Sequence, residues 1–162
     1  MKLEQKMLHA LNEQVVKELY SAYLYRSMKS DMKNAGWCGY SHWLDAQYKE
    51  EIEHAEKIAD YIEDRAGVVE FGAIEAIGNH FDCPIEAAKA ALSHEEYISE
   101  SIRGLFKLAR ELGDIETEIF LQWFITEQIE EEASAKEVVD GFSAAEGCKA
   151  VMRLYDAKLG DR

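Results

Sequence analysis

Glu51 and His54 stand three residues apart in Lys49-Glu50-Glu51-Ile52-Glu53-His54-Ala55, a stretch with no helix breaker. In a helix that spacing puts a carboxylate and an imidazole on one face, a turn apart, where both can reach one metal ion. Alone, the pair is a weak signal in a segment so rich in glutamate. It gains force because three other stretches place an acid or amide on their apolar face. Glu18 lies between Leu11 and Tyr25, seven residues to either side and within about 20° around a helix, with Val15 and Ala22 nearby. Leu44, Ala55, Ile58 and Ile62 surround Glu51 and His54, while Ala88, Leu92, Ile102 and Phe106 bracket Glu95. Gln128 and Glu131 share a face with Leu121, Phe124, Ala135, Val139 and Phe142.

Moving an ionised carboxylate alone into a low-dielectric interior costs several kcal/mol even after relaxation, and glutamate is almost never buried without a partner. No lysine or arginine falls on these inward faces to neutralise the acids. A bound metal is the economical partner, and hard oxygen donors with an imidazole suit iron or manganese better than a thiolate-rich zinc site.

The elements that must position these groups are legible from the breakers. A single proline, Pro84, and ten glycines leave long uninterrupted stretches. Helical spacing predicts a first helix over 3–33, stopped by Asn34-Ala35-Gly36, and a second over 40–66, stopped by Gly67. Residues 67–83, with Gly67, Gly72 and Gly78, define no element. Such a segment can span about 56 Å, more than the roughly 42 Å of a 28-residue helix. The link can therefore run the length of a helix and set the third parallel to the second. Pro84 opens a third helix to Leu112. Gly113-Asp114 separates it from a fourth, expected to end near Asp140 with Gly141 and Gly147 closing it, and a short fifth is expected over 144–158. The fold class is all-α: a single-domain four-helix bundle over 1–162 with a long crossover between helices 2 and 3 and a short fifth helix.

With 18 Lys and Arg against 32 Asp and Glu, the net charge of −14 repels nucleic acid and anionic membrane surfaces and favours cations. No run of 18 apolar residues is present to span a membrane, and the charged start, Met1-Lys2-Leu3-Glu4, does not read as a secretion signal. A cytoplasmic protein is expected. Cys38, Cys83 and Cys148 form no Cys-x-x-Cys pair and read as ordinary thiols. His9, His42, His80 and His94 lack a partner pattern, and Glu53 and Glu132 read as a solvated helix face. A di-iron enzyme acting on an organic substrate or peroxide, of rubrerythrin type, would use the same inward acids but lacks its Cys-x-x-Cys electron feed here. A purely structural bundle would need no core carboxylates.

The blocks Leu11-Asn12-Glu13-Gln14, Glu18-Leu19-Tyr20-Ser21, Lys49 to Ala55, and Phe120-Leu121-Gln122-Trp123-Phe124-Ile125-Thr126-Glu127-Gln128-Ile129-Glu130-Glu131-Glu132 resemble prokaryotic non-haem ferritins, over essentially the whole chain. That resemblance implies a shell of twenty-four subunits that takes up Fe(II), oxidises it with oxygen or hydrogen peroxide at an intrasubunit di-iron ferroxidase centre, and stores Fe(III) as a mineral. By position it implies Glu18, Glu51 and His54 at a first iron, with Glu51 bridging to a second iron held by Glu95. Gln128 and Glu131 then lie beside the centre, and Glu50, Glu127 and Glu130 stand at a third iron site. Tyr25 and Trp123 match aromatic residues that could donate electrons there. Haem is not expected: Ile52 stands where a bacterioferritin carries its methionine ligand, and the fourth helix reads Glu127-x-x-Glu130 rather than a second Glu-x-x-His. The acids Asp114 and Glu116 are candidates for a cation channel. The chain from Gly147 onward matches the family less closely.

Overall fold

A computed structural model describes residues 2–161. Four long helices, α1 (Gln5–Asn34), α2 (Cys38–Asp64), α3 (Pro84–Leu112) and α4 (Ile115–Ala144), are followed by a short α5 (Lys149–Leu159). Local signals set their ends. Gly36, at φ 81°, turns the chain between α1 and α2; Pro84 occupies the first turn of α3, and Gly113 ends it in the left-handed conformation at φ 66°.

The buried apolar residues fall into two clusters, one at each end of the bundle. Leu3 to Val15 of the first segment meet Ile58, Ile62, Ile98, Ile102, Leu121 and Phe124. At the other end Leu24 to Met32 meet Tyr40, Trp43, Leu44, Ala87, Ala91, Val138 and Phe142. Reading each helix from one cluster to the other gives its direction. Helix α1 runs from the first cluster to the second, α2 and α3 both run back, and α4 returns. Helices α2 and α3 are thus parallel, as the length of their link allows.

That link is pinned to α1 at both ends. Asn12 donates to Val68 O at 3.0 Å and accepts from Glu70 N at 2.8 Å, while Asp31 accepts from Phe81 N at 3.1 Å and pairs with His80 Nδ1 at 3.0 Å. Asn12 and Asp31 are about 28 Å apart along the helix at 1.5 Å per residue, so the crossover travels alongside α1.

The structure moves the expected end of α4 and the expected start of α5. Gly141 does not close α4, which continues to Ala144. A Cβ at Gly141 would lie 2.0 Å from the Tyr155 ring, so this glycine serves a close contact with α5 rather than a stop. Accordingly α5 begins at Lys149, not Ala144, after the turn at Gly147 with φ 84°. Asp114, one of the two channel candidates, also has a structural task. It caps α4 by accepting from Thr117 N at 3.1 Å and forms a two-pronged pair with Arg65 at 3.1 and 3.2 Å, tying the α3–α4 turn to the end of α2. Glu116 beside it is exposed.

Helix α5 docks on the start of α2 through the buried Asp156, whose carboxylate accepts from Gly39 N at 3.2 Å and Tyr40 N at 2.8 Å. A negative charge at a helix N-terminus is favourable because the first N–H groups lack partners. Arg153 lies 3.7 Å over the Trp37 ring and donates to Gly36 O. The approach is so close that a Cβ at Gly39 would fall 1.7 Å from the Asp156 carbonyl oxygen. Gly39→Ala is therefore expected to displace α5 and destabilise the fold by about 1–3 kcal/mol. Thermal unfolding together with proteolysis between α4 and α5 checks this; unchanged stability and unchanged cleavage would contradict the docking.

Candidate metal centre

Between the two apolar clusters lies a polar layer to which every long helix contributes. Glu18 comes from α1, Glu51 and His54 from α2, Glu95 from α3, Gln128 and Glu131 from α4, and none is more than 5% exposed. The apolar turns on either side of each residue hold it at that level, so the layer is a consequence of the same periodicity that builds the core.

Glu18, Glu51 and His54 each bring one ligand atom to within 4.8 Å of the others. His54, Glu127 and Glu131 form a second such group, so the imidazole stands between two sets of carboxylates. Its Nδ1 lies 3.5 Å from Glu51 Oε2. Glu95 is held across the layer by a hydrogen bond from the Tyr25 hydroxyl to Oε1 and another from Gln128 Nε2 to Oε2 at 3.1 Å. Of the other residues singled out from the sequence, Glu50 is half-buried and Glu130 exposed, and both lie outside these two groups. Trp123 is 40% exposed, with its ring edge-on to His54 at 5.6 Å and the Lys57 ammonium 4.3 Å from its centroid.

Among the described residues four buried side-chain oxygens lack a hydrogen-bond partner, Tyr40 Oη, Gln47 Oε1, Glu18 Oε2 and Glu51 Oε2, and the last two are the carboxylate oxygens of the layer. Orphaned carboxylate oxygens are expensive in a dry interior and point to a missing cation. Proton affinities report the same stress. Burial raises Glu18, opposed by the Gln14 hydrogen bond and then by the charge of His54. Glu51 is pushed well above the carboxylate range by burial and then by repulsion from Glu95, Glu18 and Glu131, which shows how closely the acids converge. Burial lifts Glu95 to about 7 against the bonds from Tyr25 and Gln128, and lifts Glu131 to about 8 with repulsion from Glu95 and Glu50. The Tyr25 phenol is raised well above 10 by burial and by the neighbouring acids.

Two amides that no sequence motif marks hold the acids. Gln14 Nε2 donates to Glu18 Oε1 at 2.7 Å, and Gln47 Nε2 donates to Glu131 Oε2 at 2.6 Å. The signal existed: each lies four residues before an inward glutamate, Gln14 before Glu18 and Gln47 before Glu51, on the same helix face.

A four-helix bundle with one long crossover and inward acids from every helix defines the class of carboxylate-bridged metal proteins. Residues 8–145 match the family model of the ferritin-like domain. Over 160 residues the chain is 34% identical to the bacterial non-heme ferritin of Bacteroides fragilis strain 638R, covering 99% of each, and 32% identical to that of Staphylococcus aureus strain MRSA252, covering 99% of this chain and 96% of the relative. It superposes on an open pore ferritin from the hyperthermophilic archaeon Archaeoglobus fulgidus with a TM-score of 0.97 at 37% identity, covering 99% of this chain and 98% of that one. The chain belongs to the ferritin family.

A carboxyl whose folded pKa is raised favours folding below its unfolded value of 4.5, and this contribution is lost as pH rises through the folded pKa. With values of about 7 and 8 for Glu95 and Glu131, the chelator-treated protein is expected to lose stability between about pH 5 and 8. Glu131→Gln removes part of that loss, so its melting temperature relative to the parent rises across the same window. A constant difference between the two proteins from pH 5 to 8 would contradict the raised value.

Proposed function

We propose that this chain stores iron: it takes up Fe(II), oxidises it at a di-iron ferroxidase centre within each subunit, and keeps Fe(III) as a mineral inside a shell of identical copies. The observation that carries this is the pair of buried oxygens of Glu18 and Glu51 that lack a hydrogen bond, beside His54. In this reading Glu18, Glu51 and His54 hold the first iron, Glu51 bridges, and Glu95 holds the second. Gln128 and Glu131 adjust to the metal charge nearby. Of the three residues at the third-site positions, Glu127 is favoured by its approach to His54 and Glu131, with Glu50 and Glu130 on the outer side. No haem takes part.

Each Fe(II) gives one electron, and one dioxygen or hydrogen peroxide accepts the two, so paired irons match the electron count of the oxidant. Tyr25, in hydrogen-bond contact with Glu95, and Trp123, edge-on to His54, are placed to supply a further electron. A ligand set made mostly of carboxylates, with one imidazole, offers iron hard oxygen donors. The remaining acids of this −14 chain draw cations inward.

Assembly is supported by exposed apolar side chains in separate places: Tyr23, Tyr97 and Phe71 on the side of α1, α3 and the crossover, Ile115 and Ile119 at the start of α4, and Val151 and Leu154 on α5. Several such patches on one small chain fit a closed assembly with more than one kind of contact. The shell in this reading has twenty-four subunits, the number that the resemblance to prokaryotic non-haem ferritins implies. A cytoplasmic location fits three free cysteines and the absence, among the described residues, of any helix long and apolar enough to cross a membrane.

Glu51→Ala is expected to abolish rapid Fe(II) oxidation while leaving particle mass unchanged, and to raise the melting temperature of the chelator-treated protein by removing a repelled acid. Oxidation at the parent rate would overturn the site assignment. Retention of hundreds of irons per particle supports storage, whereas stoichiometric iron with turnover of an organic substrate or peroxide would favour a rubrerythrin-like enzyme.

A further inference from the structure

The two oxygens of Glu18 are in unlike situations. Oε1 accepts from Gln14 Nε2 at 2.7 Å, whereas Oε2 is buried without a partner. The contact does not end at Gln14. Its Oε1 accepts from Ser101 Oγ of α3 at 2.6 Å, and Ser101 Oγ accepts from Lys17 Nζ at 2.9 Å. Gln14 is 1% exposed, while Lys17 and Ser101 are half-buried. Lys17 also lines a surface cleft of about 500 Å³ with Glu13, Tyr20, His94 and Tyr97.

Donor and acceptor chemistry forces one direction on this series. An ammonium only donates and an ionised carboxylate only accepts. Ser101, having accepted from Lys17, has its single proton left to give. Gln14 must turn its amide N–H toward Glu18 and therefore its carbonyl toward Ser101. Every bond points from the Lys17 cation to the Glu18 anion, an alignment in which each bond polarises the next. Because Ser101 lies six residues beyond Glu95 on α3, the series also ties together the two helices that carry Glu18 and Glu95.

We propose that Lys17, Ser101 and Gln14 are positioning residues that hold Glu18 as a one-oxygen metal ligand, occupying Oε1 and leaving Oε2 as the face offered to the ion. This rests on the di-iron reading above and extends it to three side chains that touch no metal. A hydrogen bond from the amide draws charge from Oε1 and fixes the plane of the carboxylate, so the relay favours Oε2 as the metal-facing oxygen and pre-orients the ligand. Outer partners of this kind are worth about 10–100-fold in metal affinity.

The test is anaerobic titration of the assembled protein with Co(II), followed by visible absorption, with Glu18→Ala as the reference for loss of the first site. Gln14→Leu is expected to weaken the first ion about tenfold or more, and Ser101→Ala about threefold to tenfold. Combined, they should bind no more weakly than Gln14→Leu alone, since both cut one path. Ser101→Thr, which keeps the hydroxyl, should bind within about twofold of the parent. Ser101→Ala or Gln14→Leu binding as tightly as the parent, or the two losses simply adding, while Glu18→Ala loses a site, would overturn the relay and leave the di-iron reading standing. Parent-like binding by Glu18→Ala itself would overturn both.

Discussion

Like charges packed into a dry interior are the constraint around which this molecule is organised. Glu18, Glu51, Glu95 and Glu131 are all at most 5% exposed; burial raises the proton affinity of each, and repulsion from neighbouring acids adds to it at Glu51, Glu95 and Glu131. A bundle that merely needed to fold would place apolar side chains at these positions, as it does nearby on the same faces at Val15, Ala22, Ala55, Ile58, Ala91, Ile98 and Ala135. The acids are tolerated because protons, amide donors and, in function, metal ions share the work of neutralising them. The protein thus trades stability without metal for affinity with it.

Holding such a layer demands a rigid frame, and the frame is the pair of apolar clusters on either side. Each long helix is anchored in both clusters, so its central turn cannot slide without disturbing packing at two ends. The direction pattern, with α2 parallel to α3, comes from a crossover pinned at Asn12 and Asp31. That arrangement brings the acids of α1, α2 and α3 and the amide and acid of α4 to one level. The docked α5 and the Arg65–Asp114 pair act at opposite ends of the bundle: one fixes the start of α2, the other its end.

The inward acids were legible before any coordinates, because helical periodicity places a residue on a face without knowledge of its neighbours. The long elements and the parallel α2–α3 relation were legible for the same reason and from simple reach. Features that depend on contact between distant segments were not. Gly141 looks like a stop in sequence, yet it is a helical residue whose missing side chain leaves room for Tyr155, fourteen positions later. The pairing of Asp114 with Arg65 joins residues 49 positions apart, beyond the reach of a helical pattern. Gln14 and Gln47 carried a usable signal, four residues before Glu18 and Glu51, yet amides on an apolar face draw less notice than charges. The unequal placement of Glu127, Glu50 and Glu130 depends on side-chain reach that spacing alone does not determine.

Anomalous diffraction from crystals exposed to Fe(II) without oxygen tests the convergence of these acids most directly. Two iron peaks are expected inside each subunit, one among Glu18, Glu51 and His54 and one between Glu51 and Glu95. Iron found only on exposed surface acids, with the buried layer empty at saturating Fe(II), would contradict the account.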